Sequence, residues 1–130
     1  MKIKNESDLR SKVLATLRKA GATCFAIESE QVPDAYISNA DGSAWIEFKI
    51  GKVRSQRVVC EFRPGQIATL RALAANNENA FVGVYLPEDD ALYFFRKKYA
   101  EEYAYPVTEY NIKINALGSG EALLRALTCK

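Results

Sequence analysis

Hydrophobic residues recur along this chain with two different periods, and the period predicts which segments are helices and which are strands. A helical period predicts four helices, of which the third is short: residues 5–21, 63–77, 96–105 and 120–130. Asn5 is a suitable N-cap for the first of them, and Gly21 is a suitable stop. Pro64 suits the first turn of the second helix.

A period of two, or an unbroken apolar run, predicts five strands: residues 23–29, 34–38, 43–50, 80–86 and 92–95. The second and third strands are joined by turn-forming residues and should make a hairpin. The run 80–86 is apolar throughout, which is typical of a strand buried on both faces. The order helix, strand, hairpin, helix, strand predicts an α/β fold in which a mixed sheet is flanked by helices.

Three charges interrupt the hairpin, where a strand pair normally buries apolar side chains. Because side chains alternate between the two faces of a strand, Asp34 shares a face with Glu47 and Lys49. Two registers remain open, since a four-residue loop pairs Ser38 with Ser43 and sets Asp34 opposite Glu47, whereas a two-residue loop sets Asp34 opposite Lys49. Opposed carboxylates repel each other, and a divalent cation between them would reverse the sign of that interaction.

Composition limits the chemistry that this hairpin can support. The chain has 130 residues, which is most simply one domain, and it contains no histidine. Catalysis by Ser-His-Asp or Cys-His groups is therefore excluded, as are histidine metal ligands. Any metal must be held by oxygen, which favours Mg²⁺, Mn²⁺ or Ca²⁺. The three cysteines are far apart, which predicts reduced thiols rather than a disulfide framework or a zinc site.

A basic stretch follows the hairpin directly. The net charge of +2 is small, but five cations fall within fifteen residues, where Glu61 alone opposes them: Lys49, Lys52, Arg54, Arg57 and Arg63. The stretch is either a solvated basic loop or a strip that binds phosphates. Residues 53–62 could form an extra strand or a basic flap over the substrate.

The hydropathy pattern shows no feature of a membrane protein or a secreted protein. We find no apolar run near the roughly 20 residues that a membrane span needs. The N-terminus lacks the apolar region of a signal peptide. We therefore expect the protein to stay in the cytoplasm of its host cell.

Pro33-Asp34 followed by Glu47-Phe48-Lys49 resembles the PD-(D/E)xK signature of the restriction-endonuclease-like nuclease superfamily. The order of elements from Asn5 to Leu86 is similar to that of the virus-type replication-repair nuclease (VRR-NUC) domains and of phage and archaeal Holliday-junction resolvases. The resemblance implies a restriction-endonuclease-like αβββαβ core and a Mg²⁺- or Mn²⁺-dependent nuclease. By the same resemblance, Asp34, Glu47 and the backbone carbonyl of Phe48 would hold the metal, and Lys49 would orient or activate the attacking water.

Two further residues match supporting positions of the family. Glu6 corresponds to an acid on the leading helix that often completes the metal site, and Glu28 is its rival for this role. Gln66 corresponds to the glutamine at the start of the second helix. Independently of the resemblance, Gln66 shares a helical face with Leu70 and Leu73 and should point toward the sheet.

Together with the resemblance, these observations predict an endonuclease that cuts branched DNA and works as a homodimer. Four basic residues would bind the flanking phosphates: Lys52, Arg54, Arg57 and Arg63. The alternatives are a restriction-type or RNA-directed nuclease, and a non-catalytic DNA-binding or protein-interaction module on the same fold. A single nuclease domain would span residues 1–130, with a core over about 5–96 and an extension over 97–130. The chain from Pro87 on matches no pattern that we can name. In that extension the tyrosines could serve protein docking or base stacking, although packing is their commoner role: Tyr99, Tyr103, Tyr105 and Tyr110.

Overall fold

The computed structural model describes residues 2–29, 32–96, 104–115 and 119–129. These residues form three helices, α1 (Glu6–Lys19), α2 (Gln66–Ala75) and α3 (Gly120–Thr128). The first six strands are β1 (Thr23–Ala26), β2 (Ala35–Asn39), β3 (Gly42–Ile50), β4 (Lys52–Arg54), β5 (Arg57–Val59) and β6 (Ala80–Leu86). The remaining strands are β7 (Ala91–Arg96), β8 (Ala104–Pro106) and β9 (Ile112–Ile114).

The central element is a mixed six-stranded sheet with the order β1-β2-β3-β6-β7-β9. Strands β3 and β6 are parallel and are connected through α2, whereas the other neighbours are antiparallel. The crossover is needed because two parallel strands run in the same direction, so that the end of β3 and the start of β6 lie at opposite ends of the strands. The predicted fold class, a mixed sheet flanked by helices with an αβββαβ core, is confirmed.

Helices α1 and α3 cover one face of this sheet. The side chain of Asn5 caps α1 by accepting a hydrogen bond of 2.8 Å from the backbone N–H of Asp8, as its position predicts. Leu9, Val13 and Leu17 are fully buried because they repeat at helical spacing and face the apolar side of β3. Leucines of α3 complete the same apolar cluster.

Helix α2 and a second, three-stranded sheet lie over the other face. The small sheet has the order β4-β5-β8, in which β5 pairs with a strand almost 50 residues further along the chain. Val58 and Tyr105 of this sheet pack with Ile67 and Leu70 of α2 onto the strands β6 and β7. The segment after the hairpin forms two short strands, whereas one extra strand or a basic flap was predicted.

Most predicted boundaries differ from the structure by one to three residues, and one predicted helix is wrong. Helix α2 starts at Gln66 rather than Arg63, because Gly65 has a φ of +91°, which is outside the helical region and leaves Pro64 in the preceding turn. The short helix predicted over 96–105 is wrong at both ends, since Arg96 closes β7 and residue 104 opens β8. Its middle, residues 97–103, lies outside the described residues.

The C-terminal third is tied to the rest of the chain. Strand β8 joins the small sheet, β9 pairs with β7 at the edge of the large sheet, and α3 packs against α1 and β3. The division into a core over 5–96 and an extension stays a prediction. No helix among the described residues is long and apolar enough to cross a membrane. The thiols of Cys24, Cys60 and Cys129 are free.

Candidate active site

The turn of the β2–β3 hairpin sets which residues face each other. The side-chain oxygen of Asn39 accepts hydrogen bonds from the backbone N–H groups of Asp41 and Gly42, which holds the chain reversal. Ser38 consequently pairs with Ser43, the first of the two predicted registers. The pairing continues to Ala35 opposite Ile46, so that the next position sets Asp34 opposite Glu47.

Glu47 and Lys49 are buried side chains in the middle of the large sheet. Their residues are only 2% and 4% exposed, and both lie on the face that α2 and the small sheet cover. Glutamate and lysine are almost never this buried unless they are paired. The Lys49 Nζ lies 4.0 Å from the Glu47 Oε2, an ion-pair distance at its outer limit. The two charges therefore need further partners.

Gln66, the first residue of α2, supplies those partners. Its Oε1 accepts a hydrogen bond of 2.9 Å from the Lys49 Nζ, and its Nε2 donates one of 3.2 Å to the Glu47 Oε2. The backbone N–H of Arg63 donates to the same Oε1 over 2.6 Å, so the orientation of the amide is held from both sides. The prediction that Gln66 points toward the sheet is confirmed.

The electrostatics of Glu47 are unusual for a glutamate. Burial is the main cause that raises its pKa from 4.5 to about 9, and the negative charge of Asp34 and a hydrogen bond between the two carboxyl groups contribute to the same rise. Lys49 lowers the pKa of Glu47, but by less than these effects together. Without a bound cation, Glu47 therefore holds a proton at neutral pH.

Asp34 lies just before β2 begins and is half-buried. Its Oδ2 accepts a hydrogen bond of 2.9 Å from the backbone N–H of Phe48, which has no partner on β2 because that strand starts at Ala35. The carboxylate thus replaces the missing strand and is held at a fixed place beside Glu47.

Glu6 and Glu28 differ in their relation to this pair. Glu6 is exposed at the start of α1 and lines a depression of about 100 Å³ together with Ser7, Arg10 and Asp34. Its negative charge contributes to the raised pKa of Glu47. Glu28 instead makes an ion pair of 3.3 Å with Arg10, and its side chain is 85% exposed. Of the two rivals, Glu6 is the one that acts on the acid pair.

Three of the four predicted basic residues lie at exposed positions of the small sheet, and Arg63 lies in the loop before α2. Arg54 lies directly opposite Arg57 across the β4–β5 hairpin, and both are exposed. Ser55 and Gln56 join them with φ values of 50° and 62°, the left-handed conformation of a tight hairpin turn. Like charges at directly opposed positions destabilise a strand pair, so this arrangement favours binding of an anion. The other two predicted residues, Lys52 and Arg63, are also exposed.

Three residues that contact or surround the charged pair were not predicted as site residues. The ring of Phe62 lies 5.1 Å from the Lys49 Nζ, a cation–π distance. Cys60 is 5% exposed, and burial raises its pKa to about 12, so that it is a neutral thiol beside Lys49. Burial also raises the pKa of Tyr105, and the Glu47 charge adds to that shift. No local pattern marks these positions, since Cys60 and Phe62 lie in the irregular segment after β5 and Tyr105 reaches the site through the pairing of β5 with β8.

The tyrosine-rich segment does not form an exposed docking surface over its described part. Tyr105 is fully buried and stacks on Phe95 with ring centroids 4.4 Å apart. Tyr110 is 43% exposed and contacts the edge of the Tyr93 ring. Tyr99 and Tyr103 lie outside the described residues.

Within the described ranges, no group of three or more Asp, Glu, Cys or His side chains is arranged to hold a metal ion by itself. The acid pair therefore offers two carboxylates rather than a complete protein cage. This donor set suits Mg²⁺, which usually keeps several waters and binds one or two carboxylates together with substrate phosphates.

A solved structure shares this arrangement of elements. No protein-family model matches the sequence, and no curated protein matches it. The structure is similar to that of Hjc, a Holliday junction resolvase from the archaeal hyperthermophile Archaeoglobus fulgidus. The TM-score is 0.56 at 22% sequence identity, and the match covers 90% of this chain and 92% of that chain. The chain has a resolvase-like fold. A match over 90% of the chain must extend into the C-terminal third, for which the sequence offered no match.

Proposed function

We propose that this protein is a metal-dependent endonuclease that hydrolyses phosphodiester bonds in branched DNA. The observation that carries the proposal is the buried cluster of Glu47, Lys49 and Gln66 with Asp34 opposite Glu47. Perturbed, buried ionisable groups of this kind are concentrated at catalytic sites. The similarity in fold to an archaeal Holliday junction resolvase supports the choice of substrate.

The donor chemistry of the acid pair fits a divalent cation. Asp34 and Glu47 would hold it, and the backbone carbonyl of Phe48 would assist. Within a strand, the carbonyl of a residue points to the same side as its N–H, and the N–H of Phe48 donates a hydrogen bond to Asp34. When bound, Mg²⁺ or Mn²⁺ supplies Lewis-acid polarisation of a phosphate oxygen. The raised pKa of Glu47 fits this role, since burial and the Asp34 charge penalise its carboxylate until a cation neutralises it.

The residues around the cation would each have a separate role. Glu47 would hold the cation as a carboxylate, after its carboxyl proton has passed to solvent. Lys49, fixed by Gln66, presents its ammonium group to the attacking water or to a phosphate oxygen and stabilises the negative charge that develops there. Gln66 acts as a positioning residue, because its amide contacts both Lys49 and Glu47. Glu6, at the rim, supports the site through its charge or through a bridging water.

The exposed basic residues of the small sheet and of the loop before α2 would bind the flanking DNA. Lys52, Arg54, Arg57 and Arg63 would contact phosphates, which gives affinity that depends on salt and little on base sequence. Selectivity would then come from the shape of the DNA rather than from direct reading of bases. A two-fold dimer is the natural way to cut two strands symmetrically at a junction.

The test compares cleavage of a labelled four-way junction with cleavage of a linear duplex that carries the same sequences. Wild type, Asp34→Asn and Lys49→Ala are each assayed with Mg²⁺ and with EDTA, and binding is measured in EDTA. We expect junction cleavage by wild type with Mg²⁺ alone, and no cleavage by either variant although both still bind. Glu88→Gln, an exposed isosteric change in the β6–β7 turn, serves as the control that keeps full activity.

Other outcomes would redirect the proposal. Equal cleavage of the linear duplex would retain the nuclease and remove the junction selectivity, and preferential cleavage of an RNA substrate would favour an RNA-directed enzyme. Binding without cleavage under any metal would indicate a non-catalytic DNA-binding module. Undiminished cleavage by Asp34→Asn would refute the assigned site.

A further inference from the structure

Three aromatic side chains form a row across β1, β2 and β3. Phe25 pairs with Tyr36, and Tyr36 pairs with Trp45, so that the register places all three on one face of the sheet. The rings of Tyr36 and Trp45 contact each other with centroids 4.8 Å apart and planes inclined by 58°. We call these residues the aromatic row.

The aromatic row lines an open groove rather than the protein core. Phe25 is 55% exposed and is, with Tyr110, one of two large hydrophobic side chains that stand out as exposed in the described part of the chain. Together with Ile27 and Glu78, the row surrounds a cavity of about 310 Å³. This volume lies at the lower end of the range of roughly 300–1,000 Å³ that is common for small-ligand pockets.

The acid pair lies next to the aromatic row on the same two strands. Asp34 precedes Tyr36 by two residues on β2, and Glu47 follows Trp45 by two residues on β3. Since side chains two apart share a face, the acids lie on the same side of the sheet as the rings, about 7 Å further along each strand. A nucleotide with its phosphate at the acid pair can thus place its own base, or that of its neighbour, over the rings.

We propose that the aromatic row is a stacking surface for unpaired nucleobases next to the scissile phosphate. The inference rests on the proposed function and deepens it, because it names the feature of branched DNA that the site recognises. Bases at a junction or an end can leave the helical stack, whereas bases in an intact duplex cannot do so without a cost in free energy. Aromatic rings bind such bases with little dependence on sequence, because every base has a π-face.

The lining of the groove favours a nucleobase as its occupant over a phosphate group or a protein partner. Glu78 is its charged residue, and a carboxylate there repels a phosphate but can accept a hydrogen bond from an N–H group of a base. A protein partner is disfavoured by size, because a stable protein interface buries about 800 Å² on each side, far more than a groove built on three rings and two further side chains offers. The groove is therefore suited to one or two neutral, flat groups.

The test uses the fact that Trp45 is the only tryptophan of the chain. Wild type is titrated in EDTA, which prevents cleavage, with single-stranded oligothymidine, a four-way junction and a fully paired linear duplex. Stacking of a base on the row should quench the Trp45 emission with the first two probes and leave it nearly unchanged with the duplex. Binding affinities are measured separately by anisotropy of labelled DNA.

Substitutions of Phe25 separate stacking from general DNA binding. Stacking contributes about 1–3 kcal/mol per base, so Phe25→Ala should weaken oligothymidine binding by roughly 5- to 150-fold, and duplex binding should not change. Phe25→Leu, which keeps apolar area but has no ring, should lose nearly as much, and Phe25→Tyr should restore binding. Tyr110→Ala removes an exposed ring elsewhere on the surface and should have no effect.

The outcomes distinguish this inference from the proposed function. If wild type cleaves the junction and binds it, but Phe25→Ala binds all three probes like wild type, the stacking surface is refuted and the nuclease stands. If Phe25→Leu retains full affinity, or if Phe25→Ala changes the oligomeric state in sedimentation without changing the quenching, the groove is a protein contact and the inference is wrong. If wild type binds none of the probes, both proposals fail.

Discussion

Replacing Glu47 by glutamine should stabilise the metal-free protein, although it should abolish cleavage. A buried glutamate with a pKa near 9 must take up a proton when the chain folds at neutral pH, because its pKa in the unfolded chain is about 4.5. The contribution of Glu47 to the free energy of unfolding is therefore complete below pH 4.5 and is lost progressively as the pH rises toward 9. Above pH 9 it changes no further. Glutamine has nearly the same shape and needs no proton.

The magnitude follows from the two pKa values. Each pH unit above 4.5 lowers the free energy of unfolding of wild type by about 1.4 kcal/mol relative to the glutamine variant, up to the folded-state pKa. At pH 7 the difference amounts to about 3 kcal/mol in favour of Glu47→Gln. For a domain of this size that corresponds to a rise in Tm of roughly 10 °C. The Gln66 Nε2 can still donate its hydrogen bond to the new side chain, so no donor is left buried without a partner.

The assay is urea unfolding followed by circular dichroism, at pH values from 5.5 to 8.5 in EDTA. We expect the stability gap to be small at pH 5.5 and to widen steadily with pH. Excess Mg²⁺ should narrow or reverse the gap, because it stabilises the folded state of wild type by binding and the variant has lost a ligand. Glu88→Gln, an exposed change in the β6–β7 turn, should follow wild type within about 0.5 kcal/mol at every pH.

A variant that is equally or less stable than wild type throughout this pH range would refute the reasoning. It would mean that Glu47 is ionised in the folded protein and that the ammonium group of Lys49 fully compensates its burial. A stability gain that does not depend on pH would also contradict it, because the gain would then come from packing and not from the proton.

Three further predictions concern the surroundings of the acid pair. Gln66→Ala should lower single-turnover cleavage by about 10- to 100-fold while DNA binding stays unchanged, because Lys49 loses the oxygen that orients it; equal rates would exclude a positioning role. Replacing both Arg54 and Arg57 by alanine should reduce the slope of log affinity against log salt by about 2, measured by anisotropy, and an unchanged slope would remove the hairpin from the DNA interface. Gly51→Ala should destabilise the protein by about 1–3 kcal/mol in thermal unfolding, since the added methyl group would lie 2.6 Å from a Val84 methyl carbon and 2.8 Å from a backbone oxygen of the small sheet. A neutral result for Gly51→Ala would show that the small sheet moves freely on the large one.

Much of the fold could be predicted from the sequence because its signals are local. The cap residue Asn5 and the leucines that repeat at helical spacing predict α1, and each of these signals spans only a few residues of the chain. The apolar run Ala80–Leu86 is a buried strand at the predicted bounds. The common face of Asp34, Glu47 and Lys49 follows from strand alternation alone, so it did not depend on knowing what lies above the hairpin.

The burial of that face was decided by tertiary structure, and its register by a local turn whose geometry the sequence leaves open. The side chain of Asn39 selects one of two turns that the sequence permits. Glu47 and Lys49 become buried only because α2 and the small sheet close over them, and the pKa of Glu47 rises for that reason. A charged pattern on a strand looks the same in a sequence whether the strand is covered or faces water.

Contacts between segments that are distant in the chain also could not be predicted from the sequence. The aromatic row exists because two successive registers align Phe25, Tyr36 and Trp45, none of which is marked by its neighbours in the chain. The pairing of β5 with β8 brings Tyr105 to the site over a separation of nearly 50 residues. Alternation and capping act over a few residues and can be seen in the chain itself, whereas strand order and coverage depend on the free energy of the whole core, and only the folded structure reveals them.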